Sequence, residues 1–173
     1  MDIINSKRIM IIGSAGSGKS TLAIALSKSK NIPVVHLDKL FWQPNWIMTP
    51  KNEWHSKQID LVKEDTWIID GNYGSSMDIR VENADTIIFL DINKWVCIYS
   101  ALKRWIANIG KVRADMGEGC KEKIDFEFIK WIYEFPKKGR VGIVGRLQNQ
   151  KNKKIIILKN RKELKNWLKE LAL

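Results

Sequence analysis

Cysteine and histidine are scarce: the 173 residues hold two of each, Cys97, Cys120, His36 and His55. The cysteines form no CxxC and the histidines are not at metal-ligand spacing. A zinc module and a disulfide framework are thereby excluded, and two ordinary reduced thiols are expected. Long apolar runs are missing too, since the longest fall far short of the roughly 20 residues that span a bilayer. The opening MDIINSKRIM has no apolar stretch ahead of a small-residue cleavage site, so a soluble, cytoplasmic protein with no membrane contact is expected. No repeat, Gly/Ser linker or low-complexity tract divides the chain. With 45% apolar residues, residues 1–173 are expected to form a single domain large enough to bury both faces of a sheet. The sequence carries no signal of oligomeric state.

Basic excess is absent from the first part of the chain. Residues 1–102 hold 11 Lys/Arg and 11 Asp/Glu, whereas residues 103–173 hold 19 and 8, so the whole net charge of +11 falls in the later part. A field of that sign draws polyanions, whether nucleotide phosphates, an acidic substrate or nucleic acid. A solvated lysine-rich surface accounts for the individual lysines equally well.

What is present is a series of short runs rich in Ile and Val without polar alternation: Arg8 to Ile12, Val34 to Leu37, Trp67 to Ile69, Thr86 to Leu90 and Lys154 to Leu158. Separated by helical patterns, they suit a parallel sheet covered on both faces, which makes the chain a three-layer α/β protein. Helical spacing links Trp95, Ile98, Leu102 and Ile106, and again Leu164, Trp167, Leu168 and Leu171. Thr49-Pro50 reads as an N-cap followed by proline at the first helical position. More than 60 residues separate the fourth and fifth runs, too many for a plain crossover. This stretch includes "GKVRADMGEGC", a helical pattern with Ile124, Phe128 and Ile132, and "FPKKGR". It is expected to contain an inserted helical lid over about residues 108–150.

The segment "RIMIIGSAGSGKSTLA" carries the chemistry. Gly13-Ser14-Ala15-Gly16-Ser17-Gly18-Lys19-Ser20 matches GxxxxGK[ST] and lies between a strand and a helix. Its glycines let backbone N–H groups turn in around a β-phosphate, the helix N-terminus adds its dipole, and Lys19 reaches the β and γ oxygens. Ser20 is placed on Mg²⁺ and Thr21 at the α-phosphate of ATP.

Two further absences bear on what happens to that phosphate. The apolar runs ending in Asp, "WIIDG" (Asp70) and "IIFLDI" (Asp91), have no following Glu to orient a hydrolytic water. The Asn-Lys sequence at Asn93 lacks the aspartate of a guanine-reading loop. A kinase instead closes a lid and brings cations onto the transferring phosphoryl, and Arg104, Arg113, Arg140 and Arg146 are candidates, each able to be a plain surface residue as well. The acceptor belongs across the carboxyl ends of the strands. In "HLDKLFWQPNW", Asp38 is placed to orient or deprotonate an acceptor hydroxyl and Phe41, Trp42 and Trp46 to wall its pocket, the alternatives being a helix cap and ordinary packing. In "DGNYGSSMDIR", Asp70 fits Mg²⁺ held through water, Gly71 allows close backbone approach, and Tyr73 and Arg80 reach the acceptor, unless Arg80 pairs with Asp78 or Glu82.

Across almost its whole length the sequence resembles the DNA-topology-modulation protein family, a branch of the adenylate-kinase-like P-loop proteins. The resemblance rests on the phosphate loop together with "NIPVVHLDKLFWQPNW", "WIIDGNYGSSMDIR", "ADTIIFLD", "RADMGEGCKEKIDFEFIKWIYEFPKKGR" and "KKIIILKNRKE". It implies a P-loop fold with strand order 2-3-1-4-5, binding of ATP and Mg²⁺, and a mobile lid bearing arginines; Asp70 and Gly71 match the "DG" after the third strand, and Arg104 matches an arginine late in the helix after the fourth. It also implies that Lys159, Asn160 and Arg161 border the adenine. The chain departs from true adenylate kinases in having Asp-Gly-Asn-Tyr where they have Asp-Gly-Phe-Pro-Arg, so an AMP-binding arginine is missing there. The family name implies an influence on DNA supercoiling, yet no tyrosine lies in a strand-cleaving context and no helix-turn-helix or zinc finger is present. Contact with DNA would fall to the basic region after Leu102.

The expected function is therefore a kinase-like phosphotransferase moving the γ-phosphate of ATP to a small-molecule acceptor. The competing readings are a nucleotide-dependent regulator of DNA topology, direct or indirect, and a bare ATPase.

Overall fold

The structure is a computed structural model in which residues 3–171 are described. The order of elements is β1 (Arg8–Gly13), α1 (Lys19–Lys30), β2 (Val34–His36), α2 (Leu37–Phe41), β3 (Trp42–Gln43), β4 (Ile47–Met48), α3 (Lys51–Leu61), β5 (Trp67–Asp70), α4 (Met77–Asn83), β6 (Thr86–Leu90), α5 (Lys94–Ala107), α6 (Phe126–Glu134), α7 (Gly139–Gln148), β7 (Lys154–Leu158) and α8 (Arg161–Glu170). Five strands form one parallel sheet in the order β2-β5-β1-β6-β7. Numbered among themselves, these five run 2-3-1-4-5, as expected. The strands β3 and β4 form a small antiparallel hairpin apart from it.

Continuous apolar strands are what a sheet covered on both sides requires. Successive residues of β1 show the division. Ile9 and Ile11 face a core built with Leu22, Ala23 and Leu26 of α1, Cys97 and Ala101 of α5 and Trp167 of α8. Met10 and Ile12 face the opposite core, with Leu37 of α2, Trp54 of α3, Val81 of α4 and Ile143 of α7. Ile88, 0% exposed on the central part of β6, belongs to the first core.

One local expectation needs correction. Thr49 does not cap α3; the cap position is Pro50, and the Thr49 hydroxyl donates to the carbonyls of Leu40 and Phe41. The helical spacing from Trp95 to Ile106 is met by α5, in which Ile98 packs against the first core. Trp95, Leu102 and Ile106 are exposed, and the buried side is Cys97 and Ala101. The reason is steric: Gly16 of the phosphate loop lies against the Cys97 carbonyl and the Ala101 amide, which leaves room there for small side chains alone. No helix among the described residues is long and apolar enough to cross a membrane.

Truncating the sheet centre tests this packing. Ile88→Ala is expected to lower unfolding free energy in urea by about 2–5 kcal/mol, with the m-value unchanged.

Candidate active site

The carboxyl ends of β1, β5 and β2 lie side by side, Ile11 opposite Asp70 and Asp70 opposite His36. The phosphate loop, the Asp70 loop and the Asp38 segment therefore open onto the same edge of the sheet. Gly13, Gly16 and Gly18 all have positive φ, 148°, 73° and 99°. A Cβ on Gly16 would overlap the Cys97 carbonyl oxygen, and one on Gly18 the Arg161 guanidinium. Helix α1 begins at Gly18 with no side-chain cap, and its first backbone bond runs from Leu22 N–H to the Gly18 carbonyl. The N–H groups of Lys19, Ser20 and Thr21 therefore open the helix without a protein acceptor, an arrangement that suits an anion.

Asn72, which sequence reasoning passed over, fixes the start of the loop. Its carboxamide accepts from Gly13 N–H at 3.0 Å and donates to the Gly13 carbonyl at 2.8 Å. Lys19 donates to the Ser14 carbonyl at 3.0 Å. Burial lowers its ammonium below the usual lysine range, opposed by the carboxylates of Asp70 and Asp38.

Asp70 is 4% exposed. One of its oxygens meets His36 Nδ1 at 2.9 Å, while the buried Oδ2 has no protein partner. The hydrogen bond to Asp70 raises the histidine above its ordinary value, against the effect of burial. A buried carboxylate oxygen left over beside a phosphate loop fits a hard cation. No cluster of three metal-ligating side chains occurs among the described residues, and Mg²⁺ does not need one, since it is commonly bound by one or two protein groups with phosphate and water.

Above this floor lies a cavity of about 1240 Å³. It takes in Ala15, Gly16, Gly18, Lys19, Ser20 and Thr21 of the loop, Asp70 and Gly71, Asp38, Trp42, Trp46 and Tyr73 on the opposite side, and the arginines Arg104, Arg113, Arg146 and Arg161. The Tyr73 hydroxyl donates to Asp38 Oδ1 at 2.7 Å, and burial together with that carboxylate drives the phenol well above its ordinary pKa. Phe41 stands behind this wall, with ring centroids 4.7 Å from Tyr73 and 5.0 Å from Trp54, and does not line the cavity.

Glu122, also missed, organises two of the arginines. Its side chain is 3% exposed and meets Arg104 Nε at 3.1 Å through one oxygen and Arg113 Nε at 2.6 Å through the other. Burial, followed by the neighbouring Arg113, lowers the Arg104 pKa, while Glu122 opposes the shift. Asp115 lies 3.5 Å from Arg113 Nη1.

Two arginines stand elsewhere than expected. Arg80 is fully buried and donates to the carbonyls of Gly71, Asn72 and Tyr73. It is a strut under the loop from Gly71 to Tyr73, with both Nη atoms held on backbone oxygens and the buried Nε left without a partner, and it pairs with neither Asp78 nor Glu82. Arg140 is outside the cavity lining; its Nε is 2.9 and 3.0 Å from the two oxygens of Asp91, tying the start of α7 to the end of β6. Arg146 does line the cavity while pairing with Asp78 at 2.7 Å. At the far end, Arg161 donates to the Gly16 carbonyl at 2.9 Å. Asn160 caps α8 by accepting from Glu163 N–H, and Lys159 N–H donates to the Glu163 carboxylate; neither side chain is part of the lining.

No family model and no curated protein sequence matches the chain. Solved structures do. A shikimate kinase from Acinetobacter baumannii, in complex with shikimate, aligns over 98% of this chain and 96% of its own, with TM-score 0.61 and 10% identity. A gluconokinase from Sinorhizobium meliloti 1021 aligns over 96% and 95%, with TM-score 0.53 and 14% identity. A shikimate kinase from Aquifex aeolicus aligns over 95% and 94%, with TM-score 0.52 and 20% identity. At such identities the likeness is one of fold, that of the small P-loop kinases.

Removing the Asn72 carboxamide orphans both backbone groups of Gly13, so Asn72→Ala is expected to cost about 1–3 kcal/mol of stability in urea unfolding. The His36–Asp70 pair gives a second expectation. Because the folded-state pKa of His36 is raised, its stabilisation is complete below the free histidine value, about 6.5, and is lost as pH rises through the folded value. In metal-free buffer, the stability advantage of wild type over His36→Asn should shrink with rising pH. An advantage that grew instead would contradict the pairing.

Proposed function

We propose that the protein is an ATP-dependent phosphotransferase acting on a small-molecule hydroxyl, with Mg²⁺ as the companion ion. What carries this reading is one continuous cavity in which the phosphate loop, the Arg104–Arg113 pair and the Asp38–Tyr73 wall face one another. Within the loop from Gly13 to Thr21, the amides not already bonded, those of Lys19, Ser20 and Thr21 above all, would hold the triphosphate with the Lys19 ammonium, and the Lys159-Asn160-Arg161 turn would border the adenine. Ser20 and the unpaired oxygen of Asp70 would hold Mg²⁺, which neutralises phosphate charge when bound. Asp38 takes the proton of the acceptor hydroxyl, with Tyr73 fixing its carboxylate and Trp42 and Gly71 bounding the acceptor. The hydroxyl oxygen bonds to the γ-phosphorus as the bond from that phosphorus to the β–γ bridging oxygen breaks and ADP leaves. Arg104 and Arg113 stabilise charge on the transferring group. Residues 108–150, working as a lid on a single domain, keep water out. The neighbours in fold, named for kinases of shikimate and gluconate, support the class of reaction and leave this chain's acceptor open. A cytoplasmic setting suits an ATP user with two free buried thiols.

A second reading follows the DNA-topology resemblance: a nucleotide-dependent regulator that contacts DNA. The observation in its favour is the exposure of Lys103, Lys111, Lys121 and Lys130 in the basic later part. It requires retention on duplex DNA that falls steeply with salt and changes with ATP.

Phosphorus NMR with Mg·ATP and a panel of nucleosides, nucleotides, sugars and hydroxy acids tests the first reading. The expected result is a new phosphoester signal growing with ADP. Lys19→Ala should abolish it, and Asp38→Asn should lower kcat by about 10²–10⁴-fold with Mg·ATP affinity retained. ADP release indifferent to every acceptor would defeat the transferase assignment.

A further inference from the structure

Resting on the phosphotransferase reading of this cavity, we propose that its acceptor is uncharged: a hydroxylated molecule with a flat or apolar face, such as an unphosphorylated nucleoside or sugar. Acceptors that carry a phosphate are turned away.

The electrostatics of the acceptor end carry this. An anionic acceptor needs a cation to meet it, and the arginines and lysines there already have partners, Lys138 among them on Glu134 at 2.6 Å. Arg104 and Arg113 divide the two oxygens of Glu122. Arg146 is held by Asp78. The Lys123 ammonium sits over the Trp46 ring, 4.8 Å from its centroid. Arg80, the one arginine of α4, is 0% exposed, places both Nη atoms on backbone carbonyls and does not line the cavity. The charge left free is negative, since Asp38 uses one oxygen for Tyr73 and no described residue bonds the other. A second anion would be repelled by Asp38. Drawing Arg104 or Arg113 toward itself would strip a partner from Glu122, whose side chain is 3% exposed and would become a buried, underpaired carboxylate. The γ-phosphoryl of ATP can meet that cost with several other donors around the loop; a lone phosphate at the acceptor end has no such set.

The surfaces there complete the case. Trp42, Trp46, Tyr73 and Met77 line the acceptor side, and Trp42 and Trp46 present rings inclined at 65°. Such walls take a ring by its face, while Asp38 accepts from a hydroxyl.

Calorimetry on the full chain, with Mg·AMPPNP saturating the nucleotide end, decides it. The ligands are matched pairs: adenosine and AMP, thymidine and TMP, glucose and glucose 6-phosphate. At least one uncharged member is expected to bind ten-fold or more tightly than its phosphorylated partner, and the pair in which this happens separates nucleoside from sugar. A panel in which no uncharged member leads by that margin overturns the proposal. Glu122→Gln, which releases both arginines, should raise AMP affinity by ten-fold or more with no gain for adenosine. Met48→Lys, at a side chain 63% exposed on the cavity rim, adds an unengaged ammonium and should act in the same direction without touching the core. AMP affinity unchanged in both variants overturns the claim that engaged cations exclude anions. Binding heats need no turnover, so the two readings fail separately. An uncharged ligand that binds and is never phosphorylated sinks the transferase reading alone, whereas efficient phosphorylation of a charged acceptor sinks this inference alone.

Discussion

Everything at the site is hung from the join between β1 and β5. Ile11 and Asp70 are register partners, and just beyond them the Asn72 carboxamide closes on both backbone groups of Gly13. That two-way bond holds the phosphate loop and the Asp70 loop at a fixed separation. It matters because the loop itself is built from residues with little conformational preference of their own. Glycines at positive φ make the turn accessible without making it unique. Arg80 does for the second loop what Asn72 does for the first, gathering three successive carbonyls into one buried guanidinium.

Charge is arranged on the same principle of prior engagement. Lys19 holds the Ser14 carbonyl, Arg161 holds the Gly16 carbonyl, and Arg104 and Arg113 hold Glu122. Cations kept in place by weak neutral acceptors are available to a polyphosphate, which offers several strong acceptors at once. Cations kept by a buried carboxylate are harder to draw away. On the reading proposed above, the cavity is graded, receptive to phosphate at the loop and resistant to it toward the tryptophans.

The legible parts of this protein were those written in consecutive residues. The five strands of the sheet stand within a residue or so of the expected bounds, because strands buried on both faces need uninterrupted Ile and Val. The phosphate loop is equally local. What could not be read were relations between distant positions. Arg140 answers to Asp91 and Arg80 to backbone oxygens, and no spacing along the chain announces either. Glu122 lies among alternating charges in "GCKEKID", where nothing marks it as the residue both arginines share. His36 and Asn72 each sit beside a residue that was singled out, and their importance comes from the neighbouring strand. Helix α5 was legible from its spacing, while the close approach of Cys97 and Ala101 to Gly16 was not.

The segment carrying Arg113 and Glu122 is also fastened to the β3–β4 hairpin. Gly117 lies so close to the Trp42 carbonyl that a Cβ would overlap it, the Cys120 thiol reaches the Gln43 carbonyl at 3.2 Å, and the Trp46 indole donates to the Lys121 carbonyl at 3.2 Å. The tryptophan wall and the arginine-bearing segment are in consequence one mechanical piece. A displacement of either is carried to the other, so the two walls of the chamber keep their spacing as a unit.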